Sequence, residues 1–244
     1  MDSGLVLPAE SAALDEAILE AHIAGEVPST LHFYVRAQPT ISIGYFQKVS
    51  ESIDAAEAER RGVAIVRRKS GGSSIYTDPG QLIYGLVVHE RELPASRSDS
   101  FRAVCTALAA AISAFGVDAR YRPMNDIEVG GRKVSGNAQL RRKGSVLQHG
   151  TVIVDTDLEA MDAVLRVDRS KNPSVSRPSE RVARLSSFLA KAPSIEEVKQ
   201  SVTMEFSRTF EVEFERGALT ESESATVSRL VGEHYSRREW NFKF

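Results

Sequence analysis

Apolar residues return at helical spacing along residues 11–23, where Leu14, Ala17, Ile18, Ala21 and Ile23 fall near one face and the acidic residues mostly elsewhere. That period predicts a first amphipathic helix. The pattern then changes to short β-rich runs at 30–35 and 40–44, and the Gln38-Pro39 break between them predicts two strands that pair with each other. Asp54 supplies a cap for a helix over 55–61, ended by Gly62, and residues 63–68 read as a buried strand with a basic end. After a turn at Thr77-Asp78-Pro79-Gly80-Gln81 comes an apolar strand over 82–88. Residues 100–115 are alanine-rich with apolar positions at a 3.6 period and stop at Gly116, so they form a packed helix. Strands are expected at 119–122, on either side of Gly130-Gly131, and at 145–154, followed by a helix over 158–165. Pro193 opens another helix, and Thr220 with Glu223, at capping-box spacing, starts the last one, which runs to about Tyr235. There is no internal repeat and no heptad array.

Composition narrows this picture only slightly. At 244 residues with 42% hydrophobic content, the chain fits one large domain or one domain with a small appendage. A net charge of -2 provides no global attraction to nucleic acid or anionic lipid. The longest apolar runs, such as 105–115, are too short to span a bilayer, and the first residues lack a basic leader, so a cytoplasmic protein is expected. A single cysteine, Cys105, excludes an internal disulfide and a multi-thiolate metal site. Set mid-helix among apolar neighbours, it reads as an inert core residue.

Candidate chemistry concentrates in two stretches. In the first, Gly130-Gly131 reads as a tight hairpin turn, which places Lys133 on a strand just past it, followed by the small pair Ser135-Gly136. A lysine so placed can reach over a ligand; a solvated hairpin lysine has the same spacing. In the second, Lys69-Ser70-Gly71-Gly72-Ser73-Ser74 follows a strand directly, and its glycines and small hydroxyl residues let backbone N–H groups approach an anion, with Arg67 and Arg68 as counter-charge. An ordinary hairpin also accounts for that loop. Residues 168–181 are polar and proline-interrupted, either a lid or a disordered linker. The basic runs 67–69 and 141–143 are compatible with a non-catalytic module that binds RNA or a partner, or with a solvated face.

Three segments together resemble lipoate-protein ligases: residues 67–76, Asn125-Asp126 with residues 131–138, and His149-Gly150-Thr151. Lesser matches lie at 42–47, Leu14-Asp15-Glu16 and 179–182. The resemblance covers most of the chain in order, and it implies an α/β (α+β) fold of the biotin and lipoate ligase type, a mixed central sheet flanked by helices. It further implies a two-step reaction in which lipoate, or octanoate, and ATP yield an acyl-adenylate whose acyl group passes to a lysine of an acceptor protein. Lys133 corresponds to the catalytic lysine. Arg68, Ser73, Ser74, Ile75, Tyr76, Asp126 and Lys133 would hold ATP; Arg68, Gly71, Gly72, Lys133, Gly136 and His149 would hold lipoate; Asp126 would help place Mg²⁺. The chain is similar to the catalytic large subunit of two-piece ligases, a single catalytic domain over 1–244 without the C-terminal accessory domain. Its implied partners are a lipoyl-acceptor domain and a separate small accessory subunit, with no membrane and no nucleic acid. Residues 79–82 are also similar to a turn in octanoyltransferases, which pass an acyl group from a carrier protein through a cysteine thioester. No cysteine stands just before Asn125 or within 171–178, so the alternative in that direction is a cysteine-independent octanoyl or lipoyl transferase.

Overall fold

The computed structural model describes residues 1–167 and 173–244. Its strands are β1 (Asp2–Val6), β2 (Thr30–Arg36), β3 (Thr40–Ile43), β4 (Ala64–Arg67), β5 (Ile75–Thr77), β6 (Gln81–His89), β7 (Ala119–Arg122), β8 (Asp126–Val129), β9 (Arg132–Arg142) and β10 (Ser145–Ile153). Its helices are α1 (Pro8–Ala24), α2 (Val49–Ser52), α3 (Ala55–Arg60), α4 (Arg97–Ser113), α5 (Leu158–Val164), α6 (Ile195–Phe210), α7 (Glu221–Leu230) and α8 (Arg238–Asn241). A seven-stranded sheet runs β1-β2-β6-β10-β9-β8-β7 and a three-stranded one β4-β3-β5. Each sheet is mixed, with β1 parallel to β2, β3 parallel to β4, and the remaining pairs antiparallel.

Local chemistry sets many of the boundaries. Pro8 stands at the first turn of α1, where its missing N–H costs nothing, and Gly25 closes the helix in the left-handed region at φ 75°. Asp54, Ser96, Asp157, Ser194 and Thr220 each accept a hydrogen bond from a first-turn backbone N–H of the helix that follows. Gly130 and Gly131 both take positive φ, 56° and 74°, in the turn between β8 and β9.

The period-2 alternation of the large sheet divides it into two faces. Leu31, Phe33, Leu82, Tyr84, Val146 and Ile127 pack against α4 and α6. The opposite residues of β6 and β10, Val87 and Leu147, pack against Ile18 and Leu19 of α1. Burying each of these aliphatic side chains contributes about 1.5–3 kcal/mol.

Three expectations need correction. β2 and β3 do not pair; β2 lies between β1 and β6, and β3 between β4 and β5. The chain turns a corner at Pro39, whose carbonyl accepts from Ala64 N, while Ala37 N still donates to Val6 O, so the two runs enter different sheets. Second, the acidic residues of α1 are not all on a wet face, since Asp15 and Glu16 are buried. Each has partners: Asp15 meets the His149 ring at 2.6 Å, and Glu16 accepts from the Tyr235 hydroxyl at 2.6 Å and pairs with Lys69 at 3.3 Å. Third, the helix begun at Thr220 is not the last, because it passes through a wide turn at Val231–Tyr235 into α8, where Asn241 Oδ1 accepts from Arg67 N.

His32 makes acid stability testable. It is 1% exposed on β2, and burial depresses its ring to about 4 from the usual 6.5. Between those values the unfolded chain takes up a proton that the folded protein refuses, so stability falls as pH drops from 6.5 toward 4. Wild type should lose up to roughly 3 kcal/mol across that window, and His32→Gln should flatten the slope, read from urea midpoints at several pH values. An unchanged slope in the variant would assign the acid sensitivity elsewhere.

Candidate active site

The α1 face of the large sheet and the small sheet enclose a cavity of about 930 Å³. That is the size of a site for an elongated small molecule. Residues of one parity line it: Tyr34 and Arg36 on β2, Ile83 on β6, His149 and Thr151 on β10, Ala138 on β9. The large sheet therefore contributes a floor that crosses strand after strand.

Lys133 reaches this floor because of a local irregularity. Opposite β8, Ile127 pairs with Ser135 but Glu128 pairs with Lys133, which leaves Val134 as an extra residue in β9. In a regular strand Lys133 would share the face of Ser135 and Asn137, toward α4. The bulge turns it onto the face of Gly136 instead. There its ammonium meets Asp126 Oδ1 at 2.7 Å. Gly136 makes the room: a Cβ built on it would collide with the Lys133 ammonium and the carbon that carries it. Backbone bonds fix the lysine further, Lys133 N donating to Arg181 O at 2.7 Å and Ala183 N to Lys133 O at 2.8 Å. Beside it Asn137 donates to Asn125 O at 2.9 Å and accepts from the Tyr84 hydroxyl at 2.6 Å, which locks the strand edge that carries Asp126.

The loop after β4 closes the other wall, and here the two arginines separate. Arg67, expected to face an anion, is 0% exposed and points away from the cavity. Its guanidinium donates to the carbonyls of Gly44, Tyr45, Gln47 and Asn241, because consecutive residues of a strand face opposite sides. Arg68 borders the cavity, but it too serves the loop, donating to the carbonyls of Ser42, Gly71 and Ser73 at 2.8 Å each. Burial, then the nearby Arg36, lowers it to about 10. Gly72 adopts φ 96°, and a Cβ there would come within 3.0 Å of Arg68 Nη2, so glycine is required.

The cavity wall brings together Arg68, Gly72, Ser73, Ser74, Ile75, Tyr76, Asp126, Lys133, Gly136 and His149. Gly71 alone of the expected set is off the wall, its carbonyl turned to Arg68. His149 is held on both sides, Nε2 by Ser70 Oγ at 2.7 Å and Nδ1 by Asp15 at 2.6 Å. It ties α1, β10 and the glycine loop together. Sequence reasoning had Asp15 only within the Leu14-Asp15-Glu16 match and missed Tyr34 and Arg36, whose i, i+2 spacing was the available signal.

Cys105 is buried against the α4 face, its thiol pushed up to about 12 by burial first and the Asp126 charge second. It does not border the cavity. The expected lid over 168–181 falls partly on residues 168–172, which lie outside the described residues. Val175, Pro178 and Val182 do border the cavity. Of the basic run at 141–143, Arg141 bonds Gln139 and Ser100, and Arg142 lies 3.6 Å from Glu20. Among the described residues no helix is long and apolar enough to cross a membrane.

Solved structures share this build. A bi-partite lipoate protein ligase from Thermoplasma acidophilum, studied with its E2 lipoyl domain, matches at TM-score 0.84 and 30% identity over 98% of this chain and 94% of that one. A lipoate-protein ligase A bound with ATP matches at TM-score 0.85 and 31% identity, over 99% of each. The architecture is therefore the catalytic fold of lipoate-protein ligases. The family model described as the lipoyl protein ligase A/B catalytic domain matches residues 7–207, and the chain belongs to that family. Among curated relatives, octanoyltransferase LipM of Geobacillus kaustophilus is 32% identical over 100% of this chain and 97% of its own length. Lipoate-protein ligase A subunit 1 of Thermoplasma acidophilum is 32% identical over 95% of this chain and 90% of its own.

Proposed function

We propose that the chain is the catalytic subunit of a lipoate-protein ligase, which joins lipoate to AMP from ATP and then passes the lipoyl group to a lysine of an acceptor protein. The observation that carries this reading is the Lys133 ammonium, held 2.7 Å from Asp126 over Gly136, on the wall of a cavity shared by the glycine loop and the sheet floor.

In the first step a carboxylate oxygen bonds to the α-phosphorus and pyrophosphate leaves. Two anions must approach each other, and Lys133 turns from Asp126 onto them, supplying charge where it accumulates without rearranging solvent. The apolar acyl chain lies along the floor from β9 toward β2. The nucleotide lies against Ser73, Ser74, Ile75 and Tyr76. In the second step the acceptor amine attacks the acyl carbon, AMP leaves and the amine loses a proton. His149, held by Asp15 and Ser70 Oγ, fixes the glycine loop against β10.

Mg²⁺ fits Asp126 by donor chemistry. Among the described residues no three His, Cys, Asp or Glu cluster, and Mg²⁺ in nucleotide sites takes one or two carboxylates with phosphates and water for the rest. When bound there it would neutralise phosphate charge. The acceptor domain and a small accessory subunit are proposed as partners on the likeness to the bi-partite ligase.

Octanoyl transfer from a carrier protein is the second reading, favoured by the LipM relatives. It has no cysteine to use: Cys105, the chain's single cysteine, is buried away from the cavity. One experiment separates the two. Wild type and Cys105→Ala, supplied with a candidate small subunit, should both release pyrophosphate from lipoate and ATP at similar rates. Transfer from an octanoylated carrier protein without ATP, in wild type or in Cys105→Ala, would replace ligase with transferase.

A further inference from the structure

We propose that Arg67 and residues 240–244 form a clamp on the 44–48 loop, and that through Gln47 this clamp holds Ser74 of the nucleotide wall and so sets the affinity for ATP from outside the cavity. The proposal rests on the ligase reading, from which it takes the nucleotide's place against residues 73–76. Arg67 is a positioning residue in it and touches no substrate.

The clamp is built on one buried guanidinium at the end of β4. Arg67 Nη1 donates to carbonyls of one short loop, Gly44 at 3.0 Å, Tyr45 at 3.1 Å and Gln47 at 2.7 Å, and its Nη2 donates to Asn241 O at 3.1 Å. The loop is thereby curled around the guanidinium. The backbone of Arg67 is gripped as well, its N donating to Asn241 Oδ1 at 2.8 Å and its O accepting from Trp240 Nε1 at 2.9 Å. Beyond α8, Val49 N donates to Phe244 O at 3.1 Å, and Lys243 Nζ stands 3.6 Å from the Tyr45 ring centroid and 4.0 Å from that of Trp240. Neither Arg67 nor any of residues 240–244 borders the cavity, whereas Phe46, Gln47 and Lys48 do.

Gln47 carries the clamp to the wall. Its Oε1 accepts from Ser74 Oγ at 2.8 Å and from Gly44 N at 3.1 Å, while its Nε2 donates to Ser52 Oγ at 3.1 Å. A side-chain amide engaged at both ends keeps one orientation. The first part of the glycine loop has ties of its own, Arg68 to the carbonyls of Gly71 and Ser73, and Ser70 to His149 and to Arg68 Nε. Tyr45 N also reaches Ser70 O at 3.0 Å, yet Ser70 stays anchored without it. Loosening the 44–48 loop therefore frees the nucleotide side and leaves the acyl side in place.

A loop that occupies its binding conformer for only a fraction of the time shows a dissociation constant raised by the inverse of that fraction. Charge-assisted bonds from a buried guanidinium keep the loop in that conformer before any ligand arrives. Removing them lowers a population and leaves the nucleotide's own contacts intact.

The test is calorimetric binding of α,β-methylene-ATP with Mg²⁺ and, separately, of lipoate to the full chain. Wild type is compared with Arg67→Met, Arg67→Lys and the double variant Lys243→Ala with Phe244→Ala. Arg67→Met should raise the nucleotide Kd about tenfold and leave the lipoate Kd within about twofold. Arg67→Lys, which keeps the charge and part of the donor set, should recover some of that loss. The double variant should raise the nucleotide Kd about threefold, again with lipoate unchanged. It keeps the buried guanidinium, so it decides the matter by the same criterion if Arg67→Met does not fold. Equal weakening of both ligands, the mark of a merely structural role, overturns the proposal, and so does an unchanged nucleotide Kd. In those cases the ligase reading stands, whereas failure of wild type to bind the nucleotide would remove the ligase reading itself.

Discussion

Lys133→Met should lower lipoyl-adenylate formation by roughly 10³-fold in kcat/KM, about 4 kcal/mol of transition-state stabilisation. The substitution keeps the aliphatic stem and deletes only the charge. Asp126 then loses its partner at 2.7 Å and faces the incoming phosphates as an uncompensated carboxylate. The loss should fall mainly on kcat, because the ammonium matters most where the two anions meet and less where the apolar chain is bound. Pyrophosphate release measured against lipoate concentration, with a candidate accessory subunit present, checks this. A variant that forms adenylate at the wild-type rate would show that Lys133 is a structural partner of Asp126 and nothing more.

Gly136→Ala should cost about 10²-fold in the same assay while the fold survives. Gly136 does not require a positive φ, so alanine fits the backbone. What it does not fit is Lys133, whose ammonium and adjoining carbon occupy the space of the new methyl group. The far end of a flexible side chain yields first, so the ammonium leaves its seat and the sheet stays paired. Thermal unfolding should therefore be close to wild type, with Gly136→Ala resembling Lys133→Met in its kcat defect. Activity within threefold of wild type would show that the ammonium works from another position.

Much of the fold was legible because its signals are local. Asp54 and Thr220 announced their helices through groups that bond within one turn. Gly130-Gly131 announced its hairpin through a conformation that other residues avoid. The resemblance to lipoate-protein ligases, and not local propensity, is what set the glycine loop and the Lys133 segment in one site. The pairing of residues 30–35 with 40–44 failed for the converse reason: partner choice depends on strands such as β6 and β4, distant in the chain.

Two matters of function could be decided only in three dimensions. Lys133 faces the cavity because β9 gains one residue on β8 at Val134, and such a slip is a property of two strands in register. Arg67 and Arg68 look equivalent side by side, yet the twofold alternation of a strand sends one into a nest of carbonyls and the other to the cavity wall. The sequence by itself determined which residues are available, the order of the elements and the chemistry of a lysine beside small neighbours. The packed sheet decided which face each one meets and, through burial, which charges are enclosed in the protein and which reach the cavity wall.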